Sequence, residues 1–335
     1  MIIIYYKKFS RALNLAILTF TTLYFILLKY ANYKVWGYMK KLLAEIETNK
    51  CKLDKLLTNN NNKKELIKWL KTELAYTSNA IEGNTLTRKE TQLVIEENLT
   101  SSSKPLRNYI EAVNHAKAFE KILELISCNS EISEKAILEI HKIILTGLDD
   151  MNAGFYRNCR VRISGSNTIL PNPLKVPQLM QEFYEWISEN LEDEPLTAII
   201  AHLKFVSIHP FTDGNGRTAR LLMNAVLLKC GYAPIIVKPT DRKKYLSAIE
   251  KYQTKNDEET YTNLMLRLLN RSLKVIINML EITPDKGPGE LLTISKYAKY
   301  RGLPTSTIRY WVEIGKIKPT SYTTAGYMLF AKDNA

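Results

Sequence analysis

The strongest constraint on the fold is a helical repeat of apolar residues that starts at Met39 and dominates the rest of the chain, with strand-like alternation scarce. Glu65–Ile81 places Leu66, Ile67, Leu70, Leu74 and Ile81 at helical spacing, and Gly83-Asn84 follows as a stop. Thr87 then N-caps a further helix, with Glu90 three residues on completing a capping box. Pro105–Ile126, Ser133–Leu145, Val176–Asn190, Pro195–Ser207, Gly216–Cys230 and Tyr261–Leu280 continue the pattern, the last as a long amphipathic helix. The polar stretch Thr58–Lys64 reads as a loop. Val161–Pro173 breaks the pattern: it is β-branched, then turn-rich, then bounded by proline, which predicts a short hairpin or flap. An all-α domain with one such flap is expected. No internal repeat is visible.

The net charge of +13 over 335 residues invites a nucleic-acid or membrane partner, so its distribution matters. Residues 1–50 carry +6 and residues 286–335 carry +5, which leaves only +2 between them. The basic character belongs to the two ends. Cys51, Cys128, Cys159 and Cys230 are far apart and form no CxxC spacing, the usage of a reduced, cytoplasmic protein. Four histidines, His115, His141, His202 and His209, argue against a His-rich metal cluster.

Residues 1–38 stand apart. Ala12–Leu28 has no charge and 13 apolar residues of 17, with Lys7, Lys8 and Arg11 before it and Lys29 after it. Its length is at the lower edge for a spanning helix. Three readings stay open: a membrane tether over residues 12–28, an amphipathic core helix, or translation that begins at Met39.

The chemically informative run is Ser207–Arg220, SIHPFTDGNGRTAR. A buried-looking helix delivers the chain to His209, a base whose ordinary pKa is near neutrality. Gly214 and Gly216 flank Asn215, so successive backbone N–H groups can turn inward as an anion nest at the positive end of the next helix. Arg217 and Arg220 are about one turn apart and can divide an anion's charge. Asp213 is one hard carboxylate, too little to cage a metal alone but enough for Mg²⁺ when phosphate oxygens and waters complete the octahedron. These parts suit a nucleoside polyphosphate with a base beside it to activate a hydroxyl.

His209–Arg220 resembles the full signature of the Fic family, HxFx(D/E)GNGRxxR, and the likeness covers roughly residues 66–280. It implies an all-α Fic fold and transfer of AMP from ATP to a Ser, Thr or Tyr hydroxyl of a protein. His209 would deprotonate that hydroxyl, and Asp213 would hold Mg²⁺. Gly214, Asn215 and Gly216 would cradle the α-phosphate and Arg217 the β-phosphate, with Phe211 in the core. The segment Ile163, Ser164, Gly165, Ser166 and Asn167 would be a flap aligning a target by strand pairing. Tyr245 would line the adenine pocket.

Ser78–Asn84, SNAIEGN, leaves Glu82 in the last turn of a helix, where a carboxylate meets the negative end and wants a cation. The run is similar to the family's inhibitory motif (S/T)xxxE(G/N), in which Ser78, Glu82 and Gly83 fill the named places. The resemblance implies a Glu82–Arg220 salt bridge that withdraws Arg220 from the γ-phosphate, and it allows the reverse reaction, removal of AMP. The modified protein, the chain itself included, is left open, as are other nucleotide donors and a homodimer as a further control on Glu82.

After the Pro- and Gly-rich linker 283–291, residues 292–335 resemble a winged helix-turn-helix of the MerR or excisionase kind. Thr305, Ser306 and Thr307 would reach base edges in DNA and Arg309 a phosphate; a protein-contact module is the other reading. The expected organisation is 1–38, then 39–104 with the inhibitory helix, 105–282 as catalytic core, the linker, and the terminal module. The rival to an enzyme is an ATP-sensing, DNA-binding transcription regulator, against which an intact His209 and Asp213 argue.

Overall fold

The computed structural model describes residues 39–331 apart from 101–103, 129–130, 167, 191–194, 283–290, 315 and 323–326. The hydrophobic run 12–28 and the 283–290 part of the linker therefore lie outside the described residues. The described residues divide between two units, one ending at residue 48 and one beginning at residue 49. A first helix, α1, covers residues 39–56 and carries the boundary between them.

The second unit continues with α2 (Asn60–Ile81), α3 (Arg88–Glu97), α4 (Leu106–Ser127), α5 (Glu134–Leu145), α6 (Val176–Glu189), α7 (Pro195–Ile208), α8 (Asn215–Lys229), α9 (Arg242–Lys255) and α10 (Glu258–Ile282). The helix expected from Glu65 starts inside the asparagine run instead. Asn59 accepts from the Asn61 N–H at 2.8 Å and caps it, so the polar stretch is helix start rather than loop. At α3 both halves of the capping box are made. The helix α9 was not anticipated.

Most amphipathic helices here bury one stripe, but α7 and α8 are enclosed nearly all round. Ala198, Ile199, Ala201, Leu203 and Phe205 of α7 are fully buried, as are Ala219, Met223, Val226 and Leu227 of α8. These two helices pack on each other, and the loop 209–214 is their connection. A loop fixed at both ends by the core can hold side chains to a defined geometry. The helices α2 and α4 pack together on the α8 side, with Asn79 Nδ2 donating to the Glu111 carbonyl at 3.1 Å.

The hairpin expected over Val161–Pro173 is corrected. Its described residues contain no strand, only a turn in which Ser166 N–H donates to the Ile163 carbonyl at 3.2 Å and Gly165 has φ +76°. β-branched residues favour a ladder only when a partner strand is present, and none is paired here among the described residues.

The terminal residues form β1 (Leu291–Thr293), α11 (Ile294–Tyr300), α12 (Thr305–Glu313), β2 (Ser321–Tyr322) and β3 (Met328–Ala331). The three strands pair antiparallel in the order β1-β3-β2, with Leu292 opposite Phe330 and Tyr322 opposite Met328. Leu292, Tyr297, Ala298, Ile308 and Phe330 make a core of their own. No helix of the described residues is long and apolar enough to cross a membrane.

Candidate active site

α7 ends at Ile208, and His209 follows in the left-handed region with φ +52°. Such a backbone is costly for a residue with a Cβ and persists only where neighbours enforce it. Arg157 does so. It is 3% exposed; its Nε donates to the His209 carbonyl at 2.7 Å, Nη2 to the Pro171 carbonyl at 2.7 Å and Nη1 to the Cys159 carbonyl at 3.1 Å. The imidazole Nδ1 lies 3.3 Å from the Val206 carbonyl, which favours the tautomer with Nε2 free to accept a proton. Burial pushes the His209 pKa down to about 4, helped by Arg157 and opposed by the Val206 carbonyl, Glu82 and Asp213.

The turn itself is built from polar side chains aimed at backbone. Asn215 accepts from the Phe211 N–H and donates to the Phe211 carbonyl, each at 2.9 Å. Its side chain therefore closes the loop, which leaves its backbone N–H as its contribution to a nest. Phe211 is fully buried and stacks on His141, ring centroids 3.5 Å apart. His141 accepts from the Gly154 N–H on Nδ1 at 3.0 Å, so Nε2 donates to the Asp213 carbonyl at 3.0 Å. Gly214 has φ +76° and N-caps α8, whose first-turn N–H groups have no intrahelical acceptor.

Around this turn the charges are arranged in two groups. In the first, Arg217 is 3% exposed, with Nη1 3.4 Å from Glu111 Oε1 and Nη2 3.4 Å from Asp213 Oδ2. Its Nε and Nη1 have no hydrogen-bond partner among the described residues. A buried guanidinium with unmet donors is a site prepared for an anion. Arg107 adds a second cation on the same carboxylates, 3.1 Å from Glu111 and 3.4 Å from Asp213.

In the second group, Arg220 donates from Nε to Ser78 Oγ at 2.9 Å, and from Nη2 to the Ser78 carbonyl at 3.0 Å and to Glu82 Oε1 at 2.7 Å. Burial works to lower the Arg220 pKa, but Glu82 and Tyr245 outweigh it and the net shift is upward. Gly83, with φ +100°, ends α2 directly after Glu82. Gly216 faces this second group: a Cβ there would run into the Glu82 carboxylate.

Asp213 is the one carboxylate at the mouth of the turn; its side chain is half exposed, and Oδ1 accepts from the Gly214 N–H at 2.6 Å. Among the described residues no group of three or more His, Cys, Asp or Glu side chains is gathered for a metal. A single hard oxygen donor fits Mg²⁺, which takes its remaining ligands from water and phosphate, and fits a softer or caged metal poorly.

The structure thus brings His209, Asp213, Gly214, Asn215, Gly216, Arg217, Arg220, Glu82 and Ser78 together. Tyr245 is corrected: it is 1% exposed, its hydroxyl lies 2.7 Å from His202 Nε2, and it backs Arg220 rather than lining an open pocket. The turn Ile163, Ser164, Gly165 and Ser166 makes no hydrogen bond to the loop 209–214 among the described residues and is held to Glu250 through Ser166 Oγ, whereas Arg157 joins the nearby Pro171 carbonyl to that of His209; Asn167 lies outside the described residues. Thr305, Ser306 and Thr307 form the first turn of α12, and Arg309 is exposed beyond them. Sequence reasoning missed Arg157, Glu111, Arg107 and His141. The i,i+4 pair Arg107–Glu111 was the one visible signal.

The class of protein is read from a helical core that sets the half-buried His209 just past the end of α7, beside the N-terminus of α8. Residues 131–227 match the family model described as Fic/DOC family. The chain is 31% identical over 255 residues to "Protein adenylyltransferase Fic" of Nematostella vectensis, covering 75% of this chain and 59% of that protein. It is 36% identical over 173 residues to the Drosophila willistoni protein of the same name, covering 51% of this chain and 34% of that protein. The chain thus spans well under two thirds of the length of these relatives. Among solved structures, a Fic domain containing signaling protein from Bacteroides thetaiotaomicron superposes with a TM-score of 0.64 at 27% identity, over 73% of this chain and 99% of that one. Fic-1 from C. elegans gives 0.65 at 26% identity, over 75% of each. Residues 131–227 thus match a Fic domain, and the all-α fold is that of these solved Fic proteins.

Proposed function

We propose that this protein transfers AMP from ATP to a Ser, Thr or Tyr hydroxyl of a protein, and that Glu82 restrains it. The observation that carries the reading is the single run 209–220, loop and first turns of α8, which sets a neutral His209 beside a helix N-terminus, with Arg217 holding unmet donors and Arg220 held by Glu82. The names of the relatives support the reaction.

His209 Nε2 takes the hydroxyl proton as the oxygen attacks the α-phosphorus; the bond to the bridging oxygen of pyrophosphate breaks, and pyrophosphate leaves with the electron pair. The N–H groups at the start of α8 hold the α-phosphate oxygens, and Arg217 takes the β-phosphate. Asp213 would hold Mg²⁺, which supplies charge neutralisation between phosphates. Arg220 is the natural partner of the γ-phosphate, and its bond to Glu82 denies it that role. The same Glu82, facing the loop, suits removal of AMP by positioning water.

The test is incubation of the wild type, Glu82→Gly and His209→Ala with Mg²⁺ and ATP labelled on the α-phosphate, with mass spectrometry for AMP on a hydroxyl. Label on Glu82→Gly that vanishes when His209→Ala is added supports the proposal. ATP binding without label on any variant rejects it. For the terminal module, exposed Arg309 beside the first turn of α12 supports DNA contact, and a steep fall of DNA affinity with salt is the expected sign.

A further inference from the structure

Beside the 163–166 turn runs an open groove of about 490 Å³, whose lining includes Arg160, Arg162, Ser166, Thr168, Ile169 and Pro171. Among the described residues of its lining none is acidic. Arg160 and Arg162 are exposed and make no ion pair among the described residues. The turn is anchored from behind: Ser166 Oγ donates to Glu250 Oε1 at 2.9 Å and Thr168 Oγ1 to Gln253 Oε1 at 3.0 Å, both on α9. That leaves the two arginines as the free charges of the groove. Ile169, 95% exposed, adds an apolar step to its lining.

The groove also communicates with the chemistry. The Arg157 guanidinium bonds the Pro171 carbonyl in the groove and the His209 carbonyl in the loop, each at 2.7 Å. The backbone at 160–163 and 168–172 is in neither helix nor ladder, and the Ile163, Pro171 and Asn172 carbonyls and the Thr168 N–H are already taken up within the protein, so side-chain charge is what the groove offers a partner. A single-stranded nucleic acid would call for a stacking ring, and the described residues of the lining include none.

We infer that this groove receives an extended acidic segment of the target protein, and that Arg160 and Arg162 select it by charge. The inference rests on the transferase reading and adds the class of sequence that carries the hydroxyl. Carboxylates flanking the Ser, Thr or Tyr pair with the two arginines, which holds the hydroxyl within reach of His209.

The test is binding of short fluorescent peptides to the full chain, each with a central Thr flanked by Asp and Glu, by Asn and Gln, or by Lys. The acidic peptide should bind about tenfold more tightly than its neutral twin, with the advantage shrinking as salt rises. Arg160→Glu with Arg162→Glu should reverse the order and leave ATP affinity unchanged. Equal binding of acidic and neutral peptides, or an order untouched by the reversal, overturns the inference, as does loss of ATP binding in that variant. The same peptides with Glu82→Gly and ATP separate the two readings. Acidic preference without AMP transfer keeps the groove and rejects the enzyme; transfer blind to charge keeps the enzyme and rejects the groove.

Discussion

Arg220 Nη2 donates to Glu82 Oε1 at 2.7 Å across 138 residues of sequence, while Nε of the same guanidinium is held by Ser78. These contacts tie Arg220 to the C-terminal end of α2, although it projects from α8 just beyond the 209–214 loop. Arg220 is buried and Glu82 is 40% exposed on its side chain, so the pair is lopsided: the arginine needs the carboxylate more than the reverse. Glu82→Gly should therefore release Arg220 toward the anion and raise the initial rate of AMP incorporation by on the order of a hundredfold, the scale of one charged contact to a transition state. It should cost only about 1 kcal/mol of stability, because Ser78 still satisfies part of the guanidinium and solvent screens the carboxylate. Equal rates for the two proteins would show that the contact does not control turnover.

Gly216 gives a second way to read the same contact. A Cβ at this position meets the Glu82 carboxylate and, at 3.1 Å, Arg220 Nη1. Gly216→Ala should destabilise the wild type by about 1–2 kcal/mol through overpacking. With Glu82→Gly the obstacle is gone, and alanine in the first turn of α8 should be neutral or stabilising by up to about 1 kcal/mol. A denaturant double-mutant cycle measures this coupling directly. Additive effects would mean that Gly216 is glycine for some reason other than room for Glu82.

What the sequence made legible was local. His209 to Arg220 lies within one loop and one helical turn, so chemistry and spacing could be read off the chain. Glu82 was legible because its helix-ending Glu-Gly pair is itself a contiguous pattern. Arg157, His141 and Glu111 act on this loop from 52, 72 and 106 residues away and carry no pattern of their own. Tyr245 illustrates the converse: its helix α9 was not foreseen, and its hydroxyl is taken up by His202 in the core. The missing hairpin at 161–173 follows from the same limit, since a strand's partner is not a property of the strand.

Arg157 is expected to be a positioning residue for His209. Its three bonds go to three carbonyls, of Cys159, Pro171 and His209, in a fork that a lysine cannot reproduce. Arg157→Lys should lower kcat by about tenfold to a hundredfold while the KM for ATP changes little, because the phosphate contacts are elsewhere. Arg157→Ala strands the carbonyls without any donor and should cost about 2–4 kcal/mol as well. A rise in KM with kcat intact would place Arg157 in nucleotide binding instead.

All four histidines titrate in the same abnormal direction. Burial lowers His115 and His202 to about 3, and His141 and His209 to about 4, with the nearby arginines adding to the shift. In the unfolded chain each returns to its ordinary value near 6.5. Above that pH both states hold neutral imidazole, and the stability is fully present. As the pH falls from 6.5 toward 4, the unfolded chain takes up protons that the folded one refuses, so stability drops by up to about 1.4 kcal/mol per pH unit for each histidine. The lowered carboxyls of Glu90, Asp241 and Asp257 extend the loss to still lower pH. Tm should thus be level above about pH 7 and fall steeply between 6 and 4.5. Over that range His209 stays neutral as the general base, so the rate per folded molecule should hold down to about pH 5 while the folded fraction is lost. A Tm that stays level from pH 7 to 5 would mean that the histidines charge freely, and with them the base; an activity limb near 6.5 in folded protein would say the same of His209 alone.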